Sequence, residues 1–153
     1  MKTLYFVCLL LLTTACKTTS DSTQHSTIIQ VIHGTSFGKC RGYCTKELTY
    51  AQKHVEYSQR SRDDKQFPTK DSIIAFSKTE WNTLLEAAAS IDFASLPETI
   101  GCPDCADGGA EYIEIKQNSA TKRITFEFSQ HVPELGNLLT QLRNMKLRIL
   151  KEE

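Results

Sequence analysis

The sequence carries no surplus of either charge: 18 basic side chains face 18 acidic ones, for a formal net charge of zero. No basic stripe interleaves with aromatic residues, so the electrostatic footprint of a nucleic-acid-binding surface is missing. There is no G-x-S-x-G, no phosphate-binding loop and no H-E-x-x-H, which removes the common signatures of esterases, nucleotide-binding enzymes and zinc proteases. The histidines at 25, 33, 54 and 131 pair with no cysteine or serine at a catalytic spacing. His25 falls in a polar tract, and the others are expected at the surface or at strand ends. No internal repeat is visible. The N-terminal apolar run, Leu4 to Leu12, covers nine residues, whereas a membrane-spanning helix needs about 20.

What is present fits one domain. The chain has 153 residues, 40% of them hydrophobic, enough for a modest core. Six cysteines are many for this length. Cys8 lies in the apolar run and Cys16 ends it, leaving Cys40, Cys44, Cys102 and Cys105 for the folded part. Outside the cytoplasm such an even set suggests disulfides; inside it, a metal.

The N-terminus addresses that choice. Lys2 supplies a short positive region, Leu4 to Leu12 the apolar segment of a signal peptide, and Thr13-Thr14-Ala15-Cys16 small residues before a cysteine. This stretch resembles the lipobox of bacterial lipoproteins, with Thr13 where that pattern usually has Leu. The resemblance implies removal of residues 1–15, a diacylglycerol on the Cys16 sulfur and a fatty acid such as palmitate on the new amine. Two or more acyl chains, at about 0.8 kcal/mol per buried methylene, hold a protein stably at a membrane. Lys17 lacks the Asp that favours inner-membrane retention in such proteins, which makes the outer membrane the expected address. A plain secretory signal cut near Ala15 is the alternative. Residues 16–27 then form a Ser/Thr-rich tether with little to bury, and residues 28–153 a single domain.

Within that domain Ile28 to His33 reads as a strand bounded by Gly34, and Thr45 to Ala51 with Val55 to Arg60 as a hairpin. Ser61 to Lys70, charged and carrying Pro68, is a surface loop before a short strand over Ser72 to Phe76. Ser77-Lys78-Thr79-Glu80 fits a capping box, flanked by Phe76 and Trp81 as a hydrophobic staple. Trp81, Leu84, Leu85 and Ala88 then form one helical face. Ala110 to Lys116 and Lys122 to Phe128 alternate as a second hairpin. Pro133 opens a last helix striped by Leu135, Leu138, Leu139 and Leu142, with Met145 and Ile149 extending it. One-faced alternation predicts an α+β fold: an antiparallel sheet of about five to six strands with both helices packed on one face.

The chemistry-bearing motifs are Cys40-Arg-Gly-Tyr-Cys44 and Cys102-Pro-Asp-Cys105, each in a glycine-containing loop before a strand. Structural disulfides suit a small exported domain. A zinc site on the four thiolates is the second reading, although the usual partner of C-x-x-C is another C-x-x-C at closer range. A redox centre at C-P-D-C is the third, but no helix follows it to lower a thiol pKa. For disulfides, local pairs Cys40–Cys44 and Cys102–Cys105 need only a bend. Crossed pairing closes the longer loop and stabilises more, about 4 against about 2 kcal/mol, but requires the two loops to touch. Asp104, Asp107 and Glu111 beside Gly108-Gly109 hint at calcium, yet match no calcium loop; they read as a polar turn, solvated or capping amides.

Phe37-Gly38-Lys39-Cys40-Arg41-Gly42-Tyr43-Cys44, ahead of an alternating hairpin, resembles the start of a small envelope-associated bacterial domain of unknown function that carries C-x-G-x-C near its first strands. Thr45 stands where that family usually has Pro. The resemblance implies a lipoprotein context and transfers no catalytic residue. The expected role is a non-enzymatic binding or structural module, lipid-anchored through Cys16, with an envelope protein or ligand as partner and no cofactor. The alternative is a zinc-binding or thiol-redox protein using Cys40, Cys44, Cys102 and Cys105.

Overall fold

Ile28, Val31 and Ile32 are β-branched residues that favour extended backbone, and they open the central strand β1 (Ile28–Ser36). The computed structural model describes residues 27–118 and 120–152. The expected signal peptide, the acylated Cys16 and the tether up to residue 26 lie outside the described residues. After β1 come β2 (Tyr43–Tyr50), β3 (His54–Ser61), β4 (Lys70–Ala75), helix α1 (Lys78–Ala89), β5 (Thr99–Ile100), β6 (Ala110–Gln117), β7 (Thr121–Glu127) and helix α2 (Gly136–Glu152).

The fold is α+β, one largely antiparallel sheet and two helices, in the strand order β4-β3-β2-β1-β6-β7-β5. Seven strands replace the five to six expected. The addition is β5, which pairs parallel to β7 through Thr99 opposite Thr125 and Ile100 opposite Phe126. Two residues are too few for alternation to show in sequence, and β7 supplies what fixes them. β1 also runs through Gly34 instead of ending there. The ring of Tyr112, on the neighbouring β6, lies over Gly34 where a Cβ would overlap it. The glycine thus serves a close cross-strand approach, not a turn.

Val31, Leu48, Tyr50, Val55, Tyr57, Ile113, Ile115, Ile124 and Phe126 alternate along their strands and so share one face of the sheet. They form a single core with Trp81, Leu84, Ala87 and Ala88 of α1 and Leu138, Leu139, Leu142 and Ile149 of α2. Ala87 takes the buried place expected for Leu85, which is half-buried. The capping box is present: Glu80 N donates to Ser77 Oγ at 3.2 Å, and Ser77 N donates to the Glu80 carboxylate at 2.9 Å. An Arg148–Glu80 ion pair ties α2 to the start of α1. Pro133 opens a single 3-10 turn, Pro133–Leu135, before α2 begins at Gly136. Among the described residues no helix is long and apolar enough to cross a membrane.

The strand registers set two ends. Ser36, Tyr43, Ser61, Lys70, Ala110 and Glu127 lie at one, and Ile28, Tyr50, Ala75 and Gln117 at the other. Thr27 therefore enters the fold at the end opposite both cysteine loops. The 9 residues of β1, at about 3.3 Å each, put roughly 30 Å between them.

Candidate functional site

Because Ser36 of β1 stands opposite Ala110 of β6, the loop leaving β1 and the loop entering β6 are neighbours. Each is closed locally: Cys40 is bonded to Cys44 and Cys102 to Cys105, with Cα separations of 5.5 Å in both, inside the range a disulfide allows. The loops nonetheless touch, and a carboxylate joins them instead of a crossed disulfide. Asp104 Oδ1 accepts from Gly38 N and from Gly109 N, both at 3.1 Å, and Asp104 N donates to Gly109 O at 3.0 Å. Phe37 reaches across and packs edge-on to Phe128, with 5.0 Å between ring centroids. Its ring occupies the space a Cβ on Gly109 would need, and Gly109 has a φ of +84° that favours glycine anyway. Asp104, Ala106 and Asp107 are also left-handed, at φ 62°, 52° and 62°. Such conformations each cost about 1–2 kcal/mol for an ordinary residue, so backbone strain is concentrated in this loop.

Behind the loops, on the core face, lies a buried polar cluster. His33 shares its face with Val31, and Glu111 with Ile113 and Ile115, so both point into the core. They are 1% and 2% exposed. Glu111 accepts from His33 Nε2 at 2.7 Å, from Arg143 Nε at 3.0 Å and its terminal nitrogen at 2.7 Å, and from Ser129 N at 3.1 Å. Arg143 also donates to Gln130 O at 2.8 Å. Burial alone would push the Glu111 carboxyl up, but the hydrogen bonds from His33 and Arg143 and the Arg143 charge outweigh it and hold it at about 2. Burial lowers the His33 pKa against the pull of Glu111. The imidazole is then neutral, with its proton on the Nε2 that faces Glu111.

One turn along α2 from Arg143, Lys146 donates to Thr35 Oγ1 at 3.4 Å. Burial lowers its pKa, partly countered by the Glu111 charge and reinforced by Lys46. Both lysines line a cavity of about 240 Å³, with Phe37, Tyr43, Phe128 and Leu150 as its apolar walls and buried Cys44 at its edge. A larger hollow of about 590 Å³ runs along β3 and β4, but it opens on the sheet rim and gathers no comparable group of charges. On the open face of the sheet, Tyr112 donates to Glu47 at 2.6 Å beneath the Arg123 guanidinium, 4.3 Å from its ring centre. Arg123 in turn bonds Glu114 at 2.7 Å. This cluster satisfies its own polar groups.

Several sequence expectations change. His33 is not at the surface or a strand end but central and buried, and Glu111 lies buried in β6 and not in a solvated turn, although it does accept from the Ser129 amide. Asp104 does cap amides, while Asp107 pairs with Lys39 at 3.0 Å in solvent. The three carboxylates thus go separate ways, and among the described residues no group of three or more His, Cys, Asp or Glu side chains is placed to hold a metal. Zinc needs free thiolates, and sulfurs bonded to one another do not supply them. After Cys102 comes only a 3-10 turn, Cys105–Asp107, not the longer helix that activates a redox thiol. Sequence reasoning missed Thr35, Lys46, Arg143 and Lys146 altogether. The available signal was parity: a histidine and a glutamate at inward positions of apolar strands, which must find partners. No known family and no curated protein matches the chain.

Proposed function

We propose that this protein is a membrane-anchored, non-enzymatic binding module of the bacterial cell envelope. Acyl chains on Cys16 hold it, and the end bearing the two disulfide loops meets its partner. The observation that carries this reading is Asp104 locking the loops together at the end of the sheet farthest from Thr27. A chain tethered at one end offers the other to whatever lies beyond the membrane. Locally closed, cross-bonded loops suit recognition because little entropy is left to lose on binding.

The test has two arms. Cys16→Ser is expected to release the protein from membranes; association that survives a carbonate wash as well as the parent's would overturn the anchor. A photo-cross-linker replacing Lys39 in cells is expected to give a discrete adduct that is lost in Asp104→Ala, while one replacing His54, at the opposite end, gives none. Equal adducts at both places, or none at Lys39, would overturn the recognition surface.

A second reading, metal or thiol-redox chemistry on the four domain cysteines, draws on the exposure of Cys40, Cys102 and Cys105. It forecasts four reactive thiols in the denatured mature protein without reductant, together with bound zinc. Disulfides forecast no reactive thiol from these four.

A further inference from the structure

We propose that the cavity between Lys46 and Lys146 is a binding site for a small organic acid, a compact apolar body carrying one carboxylate. The charge balance is the first argument. Lys46 and Lys146 both line the cavity and no carboxylate lines it; the carboxylate whose charge reaches Lys146 is Glu111, beside Arg143. That carboxylate is already taken: both of its oxygens bond Arg143, and His33 and Ser129 take the rest. Among the described residues neither Lys46 nor Lys146 has an ion-pair partner. Lys146 bonds only the neutral Thr35 hydroxyl. Two like charges held near one another and partly out of water are unfavourable unless an anion joins them.

The walls are the second argument. Phe37, Tyr43, Phe128 and Leu150 face the lysines across about 240 Å³. This space is smaller than the ~300–1,000 Å³ of drug-sized pockets, so it admits one ring or a short chain. An inorganic anion would leave those walls wet, and a neutral apolar molecule would leave the lysines unpaired. An acid with an apolar body satisfies both sides. Phe37 comes from the β1–β2 loop, Tyr43 from the start of β2, Phe128 from just after β7 and Leu150 from α2, and the Cys40–Cys44 disulfide and the Asp104 bridge hold the loop in place. The inference rests on the reading of this end as the recognition surface and names a ligand class for it.

The test uses the mature full-length protein in a non-ionic detergent, with calorimetry and the Leu150 methyl signals as readouts. Phenylbutyrate is expected to bind saturably. Phenylbutyramide, which lacks the charge, and butyrate, which lacks the ring, are expected to bind at least about tenfold more weakly. Lys46→Gln and Lys146→Gln should each weaken phenylbutyrate about tenfold, Lys146→Arg should retain it, and Leu150→Trp should block it by filling the cavity. Unchanged thermal midpoints show that these variants fold. No saturable binding by the parent, equal binding of the amide, or undiminished binding by the double glutamine variant would overturn the proposal. Lys39 adducts without acid binding would sink this inference alone; acid binding without Lys39 adducts would sink the recognition surface alone.

Discussion

Glu111 accepts from His33, Arg143 and the Ser129 amide, and its neighbour His33 is buried in the neutral form. Both make stability depend on acid. The His33 pKa in the fold lies below its ordinary 6.5, so the unfolded chain takes up a proton first. His33 therefore contributes stability above about pH 6.5 that is lost as pH falls below that value. Glu111, held at about 2 against an ordinary 4.5, adds a second loss as pH falls from about 4.5 towards 2. That loss is roughly 3 kcal/mol once complete. Urea midpoints should decline between pH 7.5 and 5.5 in the parent and stay level over that interval in His33→Gln; a parent midpoint that rises on acidification would show the sign to be wrong. Glu111→Gln leaves Arg143 without its charge partner and should cost about 3 kcal/mol at neutral pH, the low end for a broken buried pair because Arg143 is partly solvated. Gly34→Ala should cost about 1–3 kcal/mol, the usual range for overpacking, and much less when Tyr112 is first replaced by serine. A double-mutant cycle on chemical denaturation measures that coupling.

At the scale of elements, α1 is the segment whose local sequence says most. Ser77→Ala removes the cap and should cost about 1 kcal/mol. Trp81→Ala empties part of the core and should cost roughly 3–5 kcal/mol. Near-equal, negligible shifts in denaturant midpoint would contradict the capped and buried helix. Such legibility has a physical source: capping boxes, staples and helical stripes act between residues a few places apart, so a short window contains the whole interaction. The second hairpin was legible for the same reason, since Ile113, Ile115, Ile124 and Phe126 alternate on either side of a polar turn. β5 was not, because its ladder partners lie 26 residues on, Thr125 for Thr99 and Phe126 for Ile100. Gly34 misled because the residue it accommodates, Tyr112, belongs to another strand.

For the whole molecule, the contact between the two cysteine loops decides the candidate site. Asp104→Ala should free the Gly38 and Gly109 amides together, raising their hydrogen-exchange rates, while the amides of Ile113 and Leu48 in the sheet centre keep theirs. The expected cost is about 1–3 kcal/mol, for two backbone donors left without their charged acceptor. If only one of the two amides responds, the carboxylate is not the bridge between loops. If the sheet centre responds equally, the loops are part of the global fold and not a separately stapled surface.

The α+β class, both helices, both hairpins, the capping box and the chemistry available to the cysteine loops are legible from the residues alone, because each depends on periodicity or on neighbours within a few residues. The lipobox-like Thr-Ala-Cys is likewise read from neighbouring residues and lies outside the described residues. That a carboxylate joins the loops at Asp104, that His33, Glu111 and Arg143 meet in the core, and that Lys46 and Lys146 face one cavity emerges only from the folded chain. Those residues are separated by tens of positions, and nothing in alternation or composition encodes a distance between strands until the sheet has chosen its order. Parity marks His33 and Glu111 as inward-facing; the β1–β6 pairing and the path of α2 across the sheet determine what they face.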